Sequence, residues 1–193
     1  MKKNILIIDC HPDAESFNRH LATSYQSGAL GADYECKTLA IRDLNFNPNL
    51  AHGYRQRTEL EPDLIDAWAK ILWADHLVWI HPVWWGGLPA QAKGFIDRLF
   101  LPGMAFQKKE NSLWWDKLLK GKTAHIICTM DQPGWYYRLV YARPSVNQLK
   151  KTVLGFCGVK TTKVTSIGPI RLSKQHFREN WLKKMKHYGS KGI

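Results

Sequence analysis

The regular alternation of short apolar runs with segments of helical periodicity is the feature that most constrains how this chain folds. Five runs have the length and apolar character of buried strands. Between them, apolar residues recur with a period of about 3.6, as in amphipathic helices. Strands that alternate with helices favour a parallel sheet with helices on both faces. The predicted strands are residues 4–8, 34–39, 76–80, 123–128 and 160–167.

Local signals mark where several of the predicted helices begin. Ser16 is placed to cap the first helix, Pro89 to open the third, and Ser145 with Gln148 has the spacing of a capping box. Each helix carries one apolar stripe, which indicates packing against the sheet. The stripes are Phe17, Leu21 and Tyr25; Leu64, Trp68, Ile71 and Leu72; Ala92, Ile96, Leu99 and Phe100; Leu149, Val153 and Leu154; and Phe177, Trp181, Met185 and Tyr188.

The number of strands and the length of the chain predict one domain that spans residues 1–193. Five parallel strands suit the doubly wound order 2-1-3-4-5, which opens a ligand crevice outside the carboxyl ends of strands one and three. Two segments exceed what such a fold needs: residues 42–62 and residues 101–121, the second of which contains Trp114 and Trp115. Segments of this length are usually functional or form interfaces.

The charge is unevenly distributed along the chain, whose formal net charge is +12. Residues 1–100 hold 10 Lys and Arg against 12 Asp and Glu, whereas residues 101–193 hold 18 against 4. A basic half suits nucleic acid, an anionic lipid surface or a phosphorylated small molecule, and a solvated basic face is the alternative. No nucleic-acid recognition motif accompanies the charge, so we expect no nucleic-acid partner.

Cysteine usage and the N-terminal sequence bear on the compartment. Cys10, Cys36, Cys128 and Cys157 are scattered without a C-x-x-C pair, which predicts reduced cysteines, mostly in the core. The first apolar run, residues 4–8, is far too short for a signal peptide or a membrane span. Together these features predict a cytoplasmic protein.

A loop rich in aromatic and turn-forming residues follows the third predicted strand. It contains Trp84 and Trp85, then Gly86, Gly87 and Pro89. Open α/β sheets bind their ligands at the carboxyl ends of strands, and paired indoles favour a flat aromatic ligand. The alternative is that both Trp side chains fill the core.

The loop after the first predicted strand ends at a helix N-terminus. Free backbone N–H groups and the helix dipole make such a place suitable for a phosphate. Ser16, Asn18 and His11 are further candidate donors, whereas Asp13 and Glu15 oppose an anion unless they point away. A plain helix cap beside a surface histidine is the alternative.

A third loop, residues 129–138, follows the fourth predicted strand and should border the same crevice. Its residues are polar, turn-forming and aromatic. A capped surface turn, with Trp135 and Tyr136 covering the core, is the alternative.

The common dinucleotide, metal and hydrolase motifs are missing from the sequence. The glycines at 28 and 31 lie at a helix end, and Gly121-Lys122-Thr123 lacks the earlier glycine of a Walker loop. The eight His show no H-E-x-x-H spacing, and there is no G-x-S-x-G elbow. We therefore expect no metal site and no serine hydrolase chemistry.

Four motifs together carry a family resemblance that spans roughly residues 4–170. They are His11-Pro12 with Ser16-Phe17-Asn18; Asp43-Leu44-Asn45-Phe46-Asn47-Pro48; Pro82-Val83-Trp84-Trp85-Gly86-Gly87-Leu88-Pro89-Ala90; and Lys93-Gly94-Phe95-Ile96-Asp97-Arg98. With them the chain resembles the NAD(P)H:quinone oxidoreductase (DT-diaphorase-like) family of flavodoxin-like flavoproteins.

The resemblance implies a flavodoxin-like α/β fold, a doubly wound five-stranded parallel sheet of order 2-1-3-4-5 with helices on both faces. It implies FMN rather than FAD, because the chain has little beyond the core of that fold. In such proteins the first loop binds the flavin phosphate, the second contacts the isoalloxazine ring and the third closes over its pyrimidine end. The residues assigned in this way are His11, Ser16, Phe17 and Asn18; Pro82, Val83, Trp84, Trp85 and Gly86; and Thr129, Met130, Asp131 and Gln132.

The resemblance also implies an activity and an assembly. The expected enzyme is an FMN-dependent NAD(P)H dehydrogenase that transfers hydride through the flavin to a quinone or similar electrophile by ping-pong turnover. It is expected to be a homodimer with its active site at the interface. Tyr136 or Tyr137 partly matches the family's catalytic tyrosine, although no histidine follows nearby and the third loop lacks the family's glycine-rich turn. The basic charge, not the resemblance, makes Arg138 and Arg143 candidates for contacts to NAD(P)H, with a solvated surface role as the alternative.

Two non-enzymatic functions are the alternatives. One is a flavodoxin-like electron carrier, although such carriers are typically acidic and this chain is basic. The other is a flavin-bearing regulatory subunit of a membrane transporter on its cytoplasmic side. The basic half leaves a peripheral membrane or transporter contact open.

Overall fold

The computed structural model describes residues 3–193, in which strands and helices alternate as predicted. The strands are β1 (Asn4–Asp9), β2 (Glu35–Ala40), β3 (His76–Pro82), β4 (Phe106–Lys108), β5 (Trp115–Lys117), β6 (Thr123–Thr129) and β7 (Lys160–Ile167). The helices are α1 (Phe17–Gly31), α2 (Pro62–Trp73), α3 (Ala90–Leu99), α4 (Gly134–Leu139), α5 (Pro144–Asn147), α6 (Gly155–Cys157) and α7 (Gln175–Lys191). A 3₁₀ turn covers Ile41–Asp43, and a π-helical segment, Gln148–Leu154, joins α5 to α6.

The main sheet is parallel and has the order β2-β1-β3-β6-β7. It confirms the predicted order 2-1-3-4-5, because β4 and β5 form a separate hairpin inside the 101–121 segment. Strand β3 runs two residues beyond the predicted end at Ile80. His81 pairs with Cys128 and Pro82 with Thr129, so the ladder continues although the apolar run has stopped.

Alternating side chains of the strands build one core on each face of the sheet. Leu6, Ile8, Leu77 and Trp79 belong to the core under α2, α3 and the helical run 144–157. The other face packs against α1 and α7 and buries Ile5, Ile7, Val78 and Ile80. All eight side chains are fully buried. The resulting sheet places the carboxyl ends of β1, β3 and β6 side by side.

Two helix starts behave as predicted and one does not. Ser16 caps α1 by accepting a hydrogen bond from the backbone N–H of Arg19, and Pro89 directly precedes α3. The prediction that Ser145 opens a helix with a capping box is wrong, because α5 already begins at Pro144. Proline suits a first helical position, and it moves Ser145 inside the helix, where the side chain is fully buried.

The 42–62 segment is held against α3 by a buried arginine. The Arg98 guanidinium donates to the carboxylate of Glu61 (2.8 Å from Nη2 to Oε2) and to the carbonyls of Asn47 and Glu59. Gly94 allows the close approach, because a Cβ at that position would lie 2.3 Å from Cβ of Pro48. The motifs around Pro48 and Gly94 therefore have a packing role that joins this segment to the sheet.

The two tryptophans of the 101–121 segment have different environments. Trp115 stacks on Phe156 with 4.0 Å between ring centroids and donates its indole N–H to that residue's carbonyl. Trp114 is 74% exposed, and Leu113 beside it is 96% exposed. Trp115 therefore packs on the protein's own core, whereas Trp114 and Leu113 leave an apolar surface in solvent.

The four cysteines are free thiols, as predicted. Cys10, Cys128 and Cys157 are buried and Cys36 is half-buried. Across residues 3–193, no helix is both long enough and apolar enough to cross a membrane.

Candidate functional site

The loops after β1, β3 and β6 meet around a cleft of about 800 Å³. It lies at the carboxyl ends of these strands, where a doubly wound sheet binds its ligands. The structure brings every residue assigned to the flavin from the sequence to this cleft: His11, Ser16, Phe17, Asn18, Pro82, Val83, Trp84, Trp85, Gly86, Thr129, Met130, Asp131 and Gln132.

The first loop offers hydrogen-bond donors at the start of α1. Asn18 lines the cleft and is 2% exposed. Its Oδ1 accepts a hydrogen bond from Thr129 Oγ1 at 2.7 Å, whereas its Nδ2 has no partner. A buried amide nitrogen without a partner is costly, and a ligand acceptor would remove that cost. This unpaired donor beside a helix N-terminus fits the phosphate of a flavin mononucleotide.

A buried ion pair holds the same loop in place. Asp9 accepts hydrogen bonds from the backbone N–H of His11 at 3.1 Å and from Nη1 of Arg42 at 2.6 Å. The same Arg42 nitrogen donates to the carbonyl of His11 at 3.1 Å. The first residue of the 42–62 segment thereby fixes the backbone at His11.

The His11 ring has a defined tautomer. Nδ1 accepts the backbone N–H of Asp13 at 3.0 Å, so the proton of the neutral ring is on Nε2. Partial burial lowers the pKa of His11, against the opposing effect of Asp9 and Asp13. The neutral ring therefore presents Nε2 as a hydrogen-bond donor near neutral pH. Its edge lies against Trp84, 5.8 Å between centroids, which joins the first loop to the second.

The second loop is a tight turn that displays its aromatic side chains. The backbone N–H of Gly87 donates to the carbonyl of Trp84 at 2.8 Å, and the reverse bond is 3.2 Å. Trp85 and Gly86, the central residues, have φ of 50° and 77°. This is the pattern of a type I′ turn, in which a left-handed conformation is favourable for glycine and strained for tryptophan. The Trp85 indole is fully exposed.

The third loop is supported by the chain that follows β7. The backbone N–H of Met130 donates to the carbonyl of Ile167, and that of Ile170 donates to the carbonyl of Met130, both at 3.0 Å. Asp131 accepts the backbone N–H of Arg171 at 2.9 Å. Asp131 and Gln132 are exposed at the mouth of the cleft, whereas Met130 is buried.

The two tyrosines proposed as catalytic do not line the cleft. Tyr137 is fully buried, and its hydroxyl is 2.6 Å from Oγ of Ser145. Tyr136 is half-buried and packs edge-on against Tyr141, 5.1 Å between centroids. Tyr141, beyond the short helix α4, is the aromatic residue from this region that lines the cleft.

Sequence reasoning missed three lining residues: Tyr141, Pro144 and Ile170. They come from the chain beyond α4 and beyond β7, which folds back over the cleft. The aromatic run that continues the third loop could have signalled Tyr141, but no sequence signal singles out Ile170.

The basic half of the chain does not converge on the cleft. Among residues 3–193, its lining includes no Lys or Arg, while Asp13 and Asp131 contribute carboxylates. Arg138 is exposed and Arg143 is half-buried close by, next to the lining residue Pro144. A contact between these arginines and a nicotinamide nucleotide stays a prediction.

A doubly wound parallel sheet of order 2-1-3-4-5 defines the flavodoxin-like class of α/β proteins, and the donor-rich first loop and the aromatic second loop lie at its ligand-binding edge. A family model described as a flavodoxin-like fold matches residues 3–189, and the chain belongs to that family. The resemblance found in the four motifs is thus confirmed at the level of the family.

Two curated relatives are informative by name. An uncharacterized NAD(P)H oxidoreductase of Haemophilus influenzae is 29% identical over 174 residues, which cover 88% of this chain and 85% of the relative. An FMN-dependent NADH:quinone oxidoreductase of Caldicellulosiruptor bescii is 37% identical over 92 residues, covering 47% of this chain and 43% of the relative.

A solved structure supports the fold along the whole chain. A crystal structure of a Streptococcus mutans protein superposes with a TM-score of 0.83 at 29% identity. The match covers 97% of this chain and 99% of the other.

Proposed function

We propose that this protein is an FMN-dependent NAD(P)H dehydrogenase that reduces a quinone or a similar flat electrophile. The observation that carries the proposal is the buried, unpartnered Nδ2 of Asn18 in the cleft at the start of α1. The names of the two relatives, an NAD(P)H oxidoreductase and an FMN-dependent NADH:quinone oxidoreductase, support the same class of reaction.

The residues of the first loop bind the phosphate. Asn18 Nδ2, the free N–H groups at the start of α1 and the Nε2–H of His11 together supply donors for a dianionic group. Asp9 and Arg42 keep the backbone of His11 in register for that contact. Hydrogen bonds to a charged group are the stronger kind, so this loop gives FMN its advantage over riboflavin.

The residues of the second and third loops hold the ring system. The turn from Trp84 to Gly87 presents indoles and backbone groups to a flat ligand, and Met130 and Gln132 border the opposite side. FMN bound there would supply the redox chemistry, taking hydride from NAD(P)H and giving it to the electrophile. The nicotinamide and the electrophile would occupy the cleft in turn, so turnover would be of the ping-pong type.

We also propose that the protein is a homodimer with the cleft at its interface. The fully exposed Trp85 indole and the exposed Leu113 and Trp114 are apolar surfaces that a monomer leaves in water. Sedimentation of the purified protein should give a dimer. A fully active monomer would reject this assembly.

Absorption spectroscopy tests the proposed function directly. The purified protein should bind about one FMN per chain, with quenching of tryptophan fluorescence by the flavin that Trp84 and Trp85 approach. Anaerobic NADPH or NADH should bleach the flavin absorbance, and addition of a quinone should restore it. A colourless protein that takes up no added FMN would contradict the proposed function.

A further inference from the structure

Three polar side chains without solvent exposure form a continuous hydrogen-bonded chain beneath the second loop. Oγ of Ser145 is 2.6 Å from the hydroxyl oxygen of Tyr137 and 3.1 Å from Nε2 of His81. All three residues are 0% exposed and none of them lines the cleft. Burying three polar groups is costly unless they are mutually satisfied. Their chain therefore needs an explanation other than direct contact with a ligand.

Both hydroxyls in this chain can donate or accept a hydrogen bond, and so can Nε2 of His81, according to the tautomer of its ring. Burial lowers the pKa of His81 to about 3, so the ring is neutral. In either direction, the two hydrogen bonds join Tyr137 to His81 through Ser145.

This chain is attached to the second loop on both sides of its turn. His81 directly precedes Pro82 and Val83 at the end of β3. On the other side, the backbone N–H of Ser145 donates to the carbonyl of Gly86 at 3.0 Å. A Cβ at Gly86 would lie 3.1 Å from Cγ of Pro144, so the start of α5 also packs on the turn.

Backbone strain is stored on both sides of this contact. Trp85 in the turn and Ala142 and Arg143 before α5 have φ between 50° and 54°, a conformation uncommon for residues other than glycine. Such residues persist only where surrounding contacts hold them. The Trp85 indole is fully exposed and contributes no packing of its own. The turn therefore depends on the hydrogen bonds beneath it.

From this geometry we infer that Tyr137 and Ser145 are positioning residues, which act through His81 and Gly86 to hold the turn Trp84–Gly87 in the shape that receives the flat ring. The inference rests on the proposed function for the identity of that ring. It reassigns Tyr137, which matches a catalytic tyrosine by resemblance, to a role without contact to cofactor or substrate.

The test compares two variants at this chain with two matched variants on the other core. Tyr137→Phe and Ser145→Ala remove hydroxyls from the chain. Tyr25→Phe removes the hydroxyl of an equally buried tyrosine that donates to the carbonyl of Ile193, and Thr165→Val removes a hydroxyl 2.8 Å from Nε2 of the buried His125. Each control loses the same kind of bond far from the cleft.

The first readout uses flavin-free protein. Hydrogen exchange of the Ser145 and Gly87 amides, which close the turn, should be roughly three- to tenfold faster in Tyr137→Phe and Ser145→Ala than in the controls, the scale of one net hydrogen bond. Equal exchange rates in variants and controls would overturn the inference, whatever their thermal stability.

The second readout is flavin affinity. Tyr137→Phe and Ser145→Ala should raise the Kd for FMN and for riboflavin by the same factor, roughly three- to tenfold, because the ring and not the phosphate is affected. The controls should leave both Kd values unchanged. Weakening of FMN alone, or wild-type Kd values with only a lower Tm, would contradict the inference. If the wild-type protein binds neither flavin while the amide exchange changes as expected, the turn is coupled to Tyr137 and the proposed function is what fails.

Discussion

Similar polar side chains lie at the two ends of the parallel sheet, but the ends differ in how many of their buried polar atoms have hydrogen-bond partners. At the amino end, both ring nitrogens of His125 are bonded, to the carbonyl of Ile193 and to Thr165, and Asn4 donates to the carbonyl of Trp73. At the carboxyl end, Nδ2 of Asn18, Nδ1 of His81 and two nitrogens of Arg42 are buried without a hydrogen-bond partner. Nε2 of His76 and Oγ1 of Thr161 are the corresponding unpartnered atoms at the amino end.

Backbone strain follows the same division. The left-handed residues that precede the strands at the amino end are Asp33, Gly121 and Gly158, types that tolerate this conformation. At the carboxyl end they include Trp85, Ala142 and Arg143, which do not. The amino end is therefore the closed end of the sheet, with fewer unpartnered polar atoms and unstrained left-handed residues, while the carboxyl end keeps donors and strained turns beside the cleft. Such features are typical of a ligand site supported by a stable scaffold.

Acid should affect both ends of the sheet and produce the largest change. Burial lowers the pKa of His76 and His81 to about 3 and that of His125 to about 4. An unfolded histidine has a pKa of about 6.5, so the folded state excludes up to three protons, and the stability present above that pH is lost as the pH falls. Below about pH 6 the free energy of unfolding should drop by up to about 4 kcal/mol per pH unit.

Urea unfolding followed between pH 7 and 4 measures this slope. His81→Phe and His125→Phe should each reduce it by about one third, although only the first should alter flavin binding. A stability that does not change over this pH range would mean that the buried histidines are charged or solvated.

Removing the unpaired donor of Asn18 should have the next largest effect. Asn18→Ala should weaken FMN roughly ten- to a hundredfold, the scale of about 1.5–3 kcal/mol for a hydrogen bond to a charged group. Riboflavin, which lacks the phosphate, should be affected far less. Fluorescence titration with FMN and with riboflavin measures how much each affinity falls.

Asn4→Ala is the matched control, because Nδ2 of Asn4 is already bonded, at 3.1 Å, to the carbonyl of Trp73 at the closed end of the sheet. It should lose stability and keep its flavin affinity. Equal weakening of FMN and riboflavin by Asn18→Ala would refute the placement of the phosphate.

Because the turn is strained, replacing Trp85 should raise the stability of the protein and lower its affinity for flavin. Trp85→Gly removes a fully exposed indole from a residue with φ of 50°. The protein should become more stable by roughly 0.5–1 kcal/mol, because relief of left-handed strain exceeds the added backbone entropy of the unfolded chain. Flavin affinity should fall.

Trp181→Ala, on the α7 stripe that packs against the opposite core, should show the reverse pattern of lower stability and unchanged flavin affinity. Thermal unfolding and flavin titration on both variants separate the two roles. A destabilised Trp85→Gly would show that the turn is not strained.

The smallest expected effect concerns capture of NAD(P)H by a cleft whose described lining has no basic side chain. We expect the attraction to come from the nearby Arg138 and Arg143, and salt screens such attraction over about 8–10 Å. kcat/KM for NAD(P)H should fall with added salt, while kcat with a neutral quinone changes less. The double variant Arg138→Glu with Arg143→Glu should lose most of this salt dependence.

Lys183→Glu with Lys184→Glu, on the exposed surface of α7, is the control for net charge. If the arginine variant keeps the full salt dependence, the field comes from elsewhere on the basic half of the chain.

Much of the closed end and the outline of the cleft could be predicted from sequence. Strand-length apolar runs report burial on both faces of a parallel strand, so the order of the sheet followed from their number and spacing. Ser16 acts as a local cap, because its partner is only three residues away. The three loops were found because turn-forming residues follow each strand, and their convergence follows from the topology alone.

What the sequence by itself determined is thus the α/β sheet, its strand order and the three loops at one edge. Only the tertiary structure decided that Tyr137 is buried, that Ser145 bonds His81 instead of capping a helix, and that Asn18 keeps one amide hydrogen-bonding group free. These outcomes depend on partners far apart in the chain: 64 residues separate His81 from Ser145, and 111 separate Asn18 from Thr129. Periodicity and capping patterns report local preferences, whereas the satisfaction of a buried polar group depends on which distant atoms the packed core brings within about 3 Å.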